Sequence, residues 1–197
     1  CYHLELPKAF LAAHGLPYLP DSDNSTFPLL VEMGYLWALV LDGGVAAQLL
    51  HWAIGILLAL SAVVLATPLL SRPWAWLVGA VTALVPSVTS QMTAPLNDAA
   101  LALFCTLALA AWWRVVVEGE SRRWFVLAGL AAGGALGTKY LALLFGAALV
   151  LTALGIAWRH PDRRRLVLEG TAVIAIVALS LGGFWYVRAA WYRSNPF

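Results

Sequence analysis

Two ionisable side chains, Asp98 and Lys139, stand where hydrophobic sequence would ordinarily exclude them. Asp98 closes the stretch Gln91-Met92-Thr93-Ala94-Pro95-Leu96-Asn97-Asp98 and opens residues 99–113, which carry no other charge. A carboxylate at the edge of hydrocarbon is costly unless it meets water, a partner or a ligand. Pro95 suits a first helical turn, so Asn97 and Asp98 are expected near a helix N-terminus, where the dipole favours negative charge. Asp98 therefore reads either as an acid tying down backbone N–H groups or as a carboxylate facing water, a partner or a ligand. Lys139 lies between two apolar stretches, with no charge nearer in sequence than Arg123 or Arg159. It reads either as a cation snorkelling to an interface or as one facing a phosphate or a carboxylate such as Asp98.

Other polar residues are weaker candidates. His3 and Glu5 flank a turn of an amphipathic helix, where a solvated face is the ordinary outcome. Glu32 sits inside a short apolar segment and is less easily dismissed. Gln48 and His51 share a helix face and suit interhelical hydrogen bonds. Asp21 and Asp23 fit loop chemistry. Arg188 and Arg193 suit headgroup anchoring or an anionic lipid head. No metal-ligand spacing, nucleotide-binding glycine loop or nucleophile motif is present.

The elements that must position these groups cross a membrane. Of 197 residues, 62% are hydrophobic and 11% charged, against about 25% charged in soluble domains. The mean hydropathy is +0.82. The net charge of +2 says little, because placement outweighs the sum. Basic residues are not interleaved with aromatics on one face, which argues against nucleic acid. Cys105 reads as a packing residue. A first residue Cys1 rather than Met suggests an internal piece of a longer chain, with at least one span upstream.

The fold class expected is all-α: a polytopic transmembrane bundle with an outer-side amphipathic surface helix, forming a single domain over residues 1–197. Residues 1–44 give the surface helix (2–14), a water-exposed loop (16–27), a short or half-helix (28–41) and a turn at Asp42-Gly43-Gly44. About six spans follow over residues 45–187, and 188–197 is an outer-side tail. Gly129, Gly133 and Gly137 recur every four residues, allowing another helix close to that backbone.

Alternating the spans puts Arg72, Arg114, Arg122, Arg123, Arg159, Arg163, Arg164 and Arg165 on one side, eight of the twelve Lys and Arg. That side is expected to be cytoplasmic. The same alternation gathers His3, Glu5, Asp21, Asp23, Asn24, Glu32, Asp98, Lys139 and Arg188 at the other, where a site is expected. A transporter or lipid-handling protein is the rival, but transporters favour midplane sites in repeated halves, and no internal repeat is found here.

Several segments together resemble a known family: Tyr2-His3 on an amphipathic helix, Phe27-Pro28-Leu29 entering a short helix, Leu96-Asn97-Asp98, Gly137-Thr138-Lys139-Tyr140, and the closing Trp191-Tyr192-Arg193-Ser194-Asn195-Pro196-Phe197. Their order is similar to that in the GT-C membrane glycosyltransferases, in the branch of the protein O-mannosyltransferases and the lipid A aminoarabinose transferase. The resemblance implies transfer of a hexose or pentose from a polyprenyl-phosphate carrier to a glycan, lipid or protein acceptor. It implies no cofactor beyond that donor, and the absence of a ligand cluster in the sequence argues against a metal. The setting implied is a prokaryotic cytoplasmic membrane with the active site outside.

The family's first acidic residue would lie a few positions before Cys1, while Asp98 matches its second outer-side aspartate and Thr138-Lys139 its Thr-Lys turn. Relatives carry an acid–lysine pair where this chain has Thr26 and Phe27. Either Lys139 or Arg188 therefore takes over the phosphate, or the donor differs. The candidate catalytic residues are Asp98, His3 and Glu5; the candidate substrate-binding residues are Lys139, Tyr140, Asn97, Glu32 and Arg188.

Overall fold

The structure, a computed structural model, describes residues 2–196; Cys1 and Phe197, and the readings attached to them, lie outside the described residues. Among those residues the chain is all-helical: α1 (Tyr2–Ala12), α2 (Leu30–Ala66), α3 (Arg72–Leu84), α4 (Pro86–Met92), α5 (Asp98–Val116), α6 (Arg123–Thr138), α7 (Ala142–Arg159) and α8 (Arg164–Arg193), with one 3₁₀ turn over Asp23–Thr26.

In α1, His3, Leu6, Pro7 and Phe10 are buried, the spacing of a single helix face. Leu6 and Phe10 cluster with Leu29 and Trp185 of α8. The surface helix is thereby docked on the bundle rather than lying free.

Helix α2 is a hairpin. Its backbone leaves helical geometry at Asp42 and at Gly43, whose φ of 63° favours glycine. In a straight helix, Tyr35 and His51 would stand about 24 Å apart. Instead the Tyr35 hydroxyl lies 2.5 Å from His51 Nδ1. Val31, Tyr35 and Ala38 of the short arm (30–41) cluster with Ala47 of the long arm (44–66) and with Ala100. The short helix and turn expected from the sequence are both present.

Helix α3 returns along the long arm, with Gly79 against Val63 and Ala59. The chain then breaks at Val85–Pro86, and α3 and α4 are bent by 63°. Helix α5 begins at Asp98, with Asn97 at the N-cap. Pro95 thus precedes the helix instead of occupying its first turn. The Asn97 side chain is bonded to other elements, not to the helix end.

Among the described residues four helices are long and apolar enough to cross a membrane, α2, α5, α7 and α8, and the broken α3–α4 pair makes five if it counts as one span. Helix α6 has 16 residues. It nevertheless joins the two ends of the bundle: Arg122 reaches Glu169 near the start of α8, and Thr138 reaches Asn97 at the start of α5.

The glycine row on α6 faces α8. A Cβ on Gly129 would lie 3.2 Å from Ile174 O, and one on Gly133 would lie 3.1 Å from Ala178 Cα. From the α8 side, a Cβ on Gly182 would come within 2.7 Å of both Gly133 O and Leu136 Cβ. Such backbone approach is how helices gain contact where lipid offers no hydrophobic drive. Gly182→Ala is therefore expected to lower stability by about 1–3 kcal/mol. The control is Gly183→Ala, whose added methyl meets nothing closer than Leu179 Cβ at 4.0 Å. Melting of the purified protein in detergent should separate the two; equal melting temperatures would refute the close-packed α6–α8 seam.

Candidate functional site

Helix starts and stops from five segments meet at the end of the bundle away from the eight arginines that share the other side. Helix α1 supplies Tyr2 and His3, the short arm of α2 supplies Glu32, and the start of α5 supplies Asn97 and Asp98. The end of α6 supplies Thr138, and the linker to α7 supplies Lys139 and Tyr140.

Glu32 is fully buried. Its Oε1 lies 2.5 Å from His3 Nδ1 and accepts Asn97 Nδ2 at 3.1 Å. Asn97 Nδ2 also donates to Thr138 O at 3.4 Å. A buried carboxylate is tolerated when donors face it. Here all of them serve one oxygen, and Glu32 Oε2 has no partner.

Lys139 caps the end of α6 in extended geometry (φ −161°, ψ 143°). Its Nζ donates to Asp98 Oδ1 at 2.5 Å, with the two side chains 38% and 45% exposed. The pair is thus open to solvent and to a ligand, unlike Glu32. A pair this exposed contributes little stability.

Beside it lies a cavity of about 260 Å³ lined by Tyr2, Phe27, Pro28, Asn97, Thr138, Lys139, Tyr140 and Leu141. Phe27 meets Tyr140 edge-on at 5.5 Å. Burial raises the Tyr2 phenol, the Glu32 charge pushes the same way, and an interaction with Asn97 opposes both. Burial likewise raises Tyr140, against the opposing charge of Arg193. Both therefore remain hydroxyl donors at neutral pH.

Three candidates stand elsewhere or act differently from the sequence reading. Glu5 points outward and pairs with Lys8 at 3.7 Å, because it occupies the face of α1 opposite the docked one. His3 is buried against Glu32, so its Nδ1 is engaged away from solvent. Arg188 is buried against the loop: Nη1 donates to Ser25 O, and Nη2 donates to Leu16 O at 3.2 Å and Pro17 O at 3.0 Å. Its fork is filled by backbone carbonyls, as suits a guanidinium clamp. Arg193 continues the clamp, pairing with Asp23 at 2.6 Å. Sequence reasoning missed this clamp, and it missed the hydrogen bond from the Tyr35 hydroxyl to Leu96 O that fixes the approach to α5. A tyrosine in the same short apolar segment as Glu32 was the available signal.

On the far side of the α6–α7 linker an apolar groove of about 250 Å³ runs between α6, α7 and α8, walled by Leu136, Ala142, Leu143, Phe145, Ile174 and Ala178 among others. Leu136, Ala142 and Leu143 line the groove, and Thr138, Lys139, Tyr140 and Leu141 between them line the cavity. Among the described residues no group of three His, Cys, Asp or Glu could hold a metal ion.

Spanning helices, with an aromatic-walled cavity reached by Lys139 at one end and an apolar groove between α6, α7 and α8, define an integral membrane protein. The chain belongs to the dolichyl-phosphate-mannose-protein mannosyltransferase family, whose family model matches residues 41–192. It is thus a membrane glycosyltransferase of the GT-C superfamily. The match includes Asn97, Asp98, Lys139, Tyr140 and Arg188 and leaves His3, Glu5 and Glu32 outside it. No curated protein and no solved structure matches the chain.

Proposed function

We propose that this protein takes a sugar from a polyprenyl-phosphate carrier and gives it to an acceptor hydroxyl or phosphate at the extracytoplasmic face. The observation that carries the reading is that residues 136–143 contribute both to an aromatic-walled cavity reached by Lys139 and to an apolar groove. A prenyl tail in the groove would bring its phosphate to the linker, where Lys139 faces the cavity. The eight arginines at the opposite end support an outward-facing site by the positive-inside rule.

In this reading the acceptor oxygen attacks the anomeric carbon in line. The carbon–oxygen bond to phosphate breaks with inversion, and the acceptor proton passes to a carboxylate. Asp98 is the solvent-accessible carboxylate that assists and orients that transfer. Lys139 stabilises charge developing on the leaving phosphate, acting where charge appears in the transition state. Its short contact with Asp98 holds both groups in place before substrate arrives. The backbone carbonyls that occupy the Arg188 fork favour Lys139 over Arg188 as the cation that meets the phosphate. No cofactor or metal is required by these steps.

The testing experiment assays membranes carrying the complete gene product with a panel of polyprenyl-phosphate sugars, dolichyl-phosphate mannose included, and with nucleotide sugars. Transfer from lipid-linked donors alone is expected. Direct use of a nucleotide sugar, or no transfer from any lipid-linked donor, would overturn the reading.

A further inference from the structure

We propose that Asn97 is a specificity-determining residue that reads a single ring hydroxyl of the sugar, an inference that rests on the lipid-linked-sugar reading above. The Asn97 amide is oriented by chemistry. Its Nδ2 faces two acceptors, Glu32 Oε1 at 3.1 Å and Thr138 O at 3.4 Å, and a backbone carbonyl can never donate in return. The amide oxygen must then point the other way. That oxygen has no hydrogen-bond partner although the residue is 1% exposed, and Asn97 lines the cavity with its amide also in reach of the Tyr2 hydroxyl.

A buried, orphaned acceptor at a cavity wall is a demand for a donor. A sugar hydroxyl meets it, and a deoxygenated carbon does not. The space suits one ring: about 260 Å³, below the roughly 300–1,000 Å³ of drug-sized sites. The rings of Tyr2, Phe27 and Tyr140 supply apolar walls for the C–H face of that sugar, and the Tyr2 hydroxyl beside Asn97 makes way for it or bonds to it.

Glu32 and His3 act behind Asn97 as positioning residues. Fully buried, with Oε1 shared between His3 and Asn97, the Glu32 carboxylate prevents the amide from turning over. Removing that anchor frees the amide to present either end, and the preference for a donor is lost. Glutamine at this position keeps an acceptor oxygen for Asn97; leucine keeps only the volume.

The test uses the full-length protein purified in detergent and a polyprenyl-phosphate hexose, with analogues deoxygenated at each ring position in turn. Transfer gives kcat/KM, and ligand-induced change in melting temperature gives binding without turnover. The wild type is expected to lose about 10- to 100-fold with one analogue. Asn97→Ala should lower kcat/KM for the parent donor by a similar factor and level the deoxy penalty to within about threefold, as in a double-mutant cycle. Glu32→Gln should keep the penalty and Glu32→Leu should level it, a contrast that a merely structural role would not produce.

A wild type indifferent to every deoxygenation, or an Asn97→Ala protein that retains the full penalty, would overturn the inference. The wild-type scan decides even if a variant fails to fold. Selective binding without transfer would defeat the enzymatic reading and leave the hydroxyl readout standing. Transfer without hydroxyl selectivity would do the reverse, and absence of both would defeat the two together.

Discussion

Replacing Lys139 with alanine in the full-length protein is expected to lower transfer by about 10²–10³-fold with normal expression and folding, the effect of deleting one preorganised charge stabiliser. Lys139 is 38% exposed and sits on a linker, so its removal leaves no cavity in a packed core. Asp98→Asn should cost about 10²–10⁴-fold if the carboxylate takes part in proton transfer. The two groups touch, so their effects should be coupled: the double variant should be less impaired than the product of the single losses. Rates should be read with saturating donor as well as below KM, because a loss confined to KM would make Lys139 a binding group only. Wild-type turnover in both single variants would remove them from the chemistry.

Arg188→Ala is expected to act on the loop, not on the phosphate. The guanidinium donates to three backbone carbonyls, those of Leu16, Pro17 and Ser25. Hydrogen bonds to charged groups are worth about 1.5–3 kcal/mol each and do not add fully, so a total loss near 2–4 kcal/mol is anticipated. Arg188→Lys should recover little of it, since a point ammonium cannot replace a planar fork. Limited proteolysis should find new cleavage within residues 16–27, together with a lower melting temperature. Activity should fall through displacement of Phe27 and Pro28, which wall the cavity. A higher KM with unchanged melting and unchanged proteolysis would instead place Arg188 on the substrate.

Hydrophobic bands and isolated charges were enough to read the all-α class, the short helix before the Asp42–Gly44 turn, and the end of the bundle at which Asp98 and Lys139 meet. These depend on the parity of chain crossings, which composition reports directly. What the sequence could not reveal depends on how a helix is rotated and docked. Glu5 and His3 are two residues apart on α1, yet one faces water and the other is buried on Glu32. Arg188 looked available because its partners are backbone carbonyls of a distant loop, which leave no trace in side-chain pattern. Pro95 suggested a helix start, but Asn97 is drawn to Glu32 and Thr138, and α5 begins only after it. Tyr35 and His51 lie sixteen residues apart and meet only because the chain folds back at Gly43.

Headgroup and tail of one lipid-linked donor are expected to lie in the cavity and the groove to which residues 136–143 contribute. Photo-crosslinking with a polyprenyl-phosphate hexose bearing a diazirine in its first isoprene units, followed by mass-spectrometric mapping of adducts, should label residues 136–143 and the α8 groove wall around Ile174 and Ala178. Unlabelled donor should suppress the labelling, and Lys139→Ala should weaken it. Adducts gathered instead in the hollow by Trp52 and Met92, or in the one by Trp158 and Arg164 at the arginine-rich end, would contradict this placement of the donor.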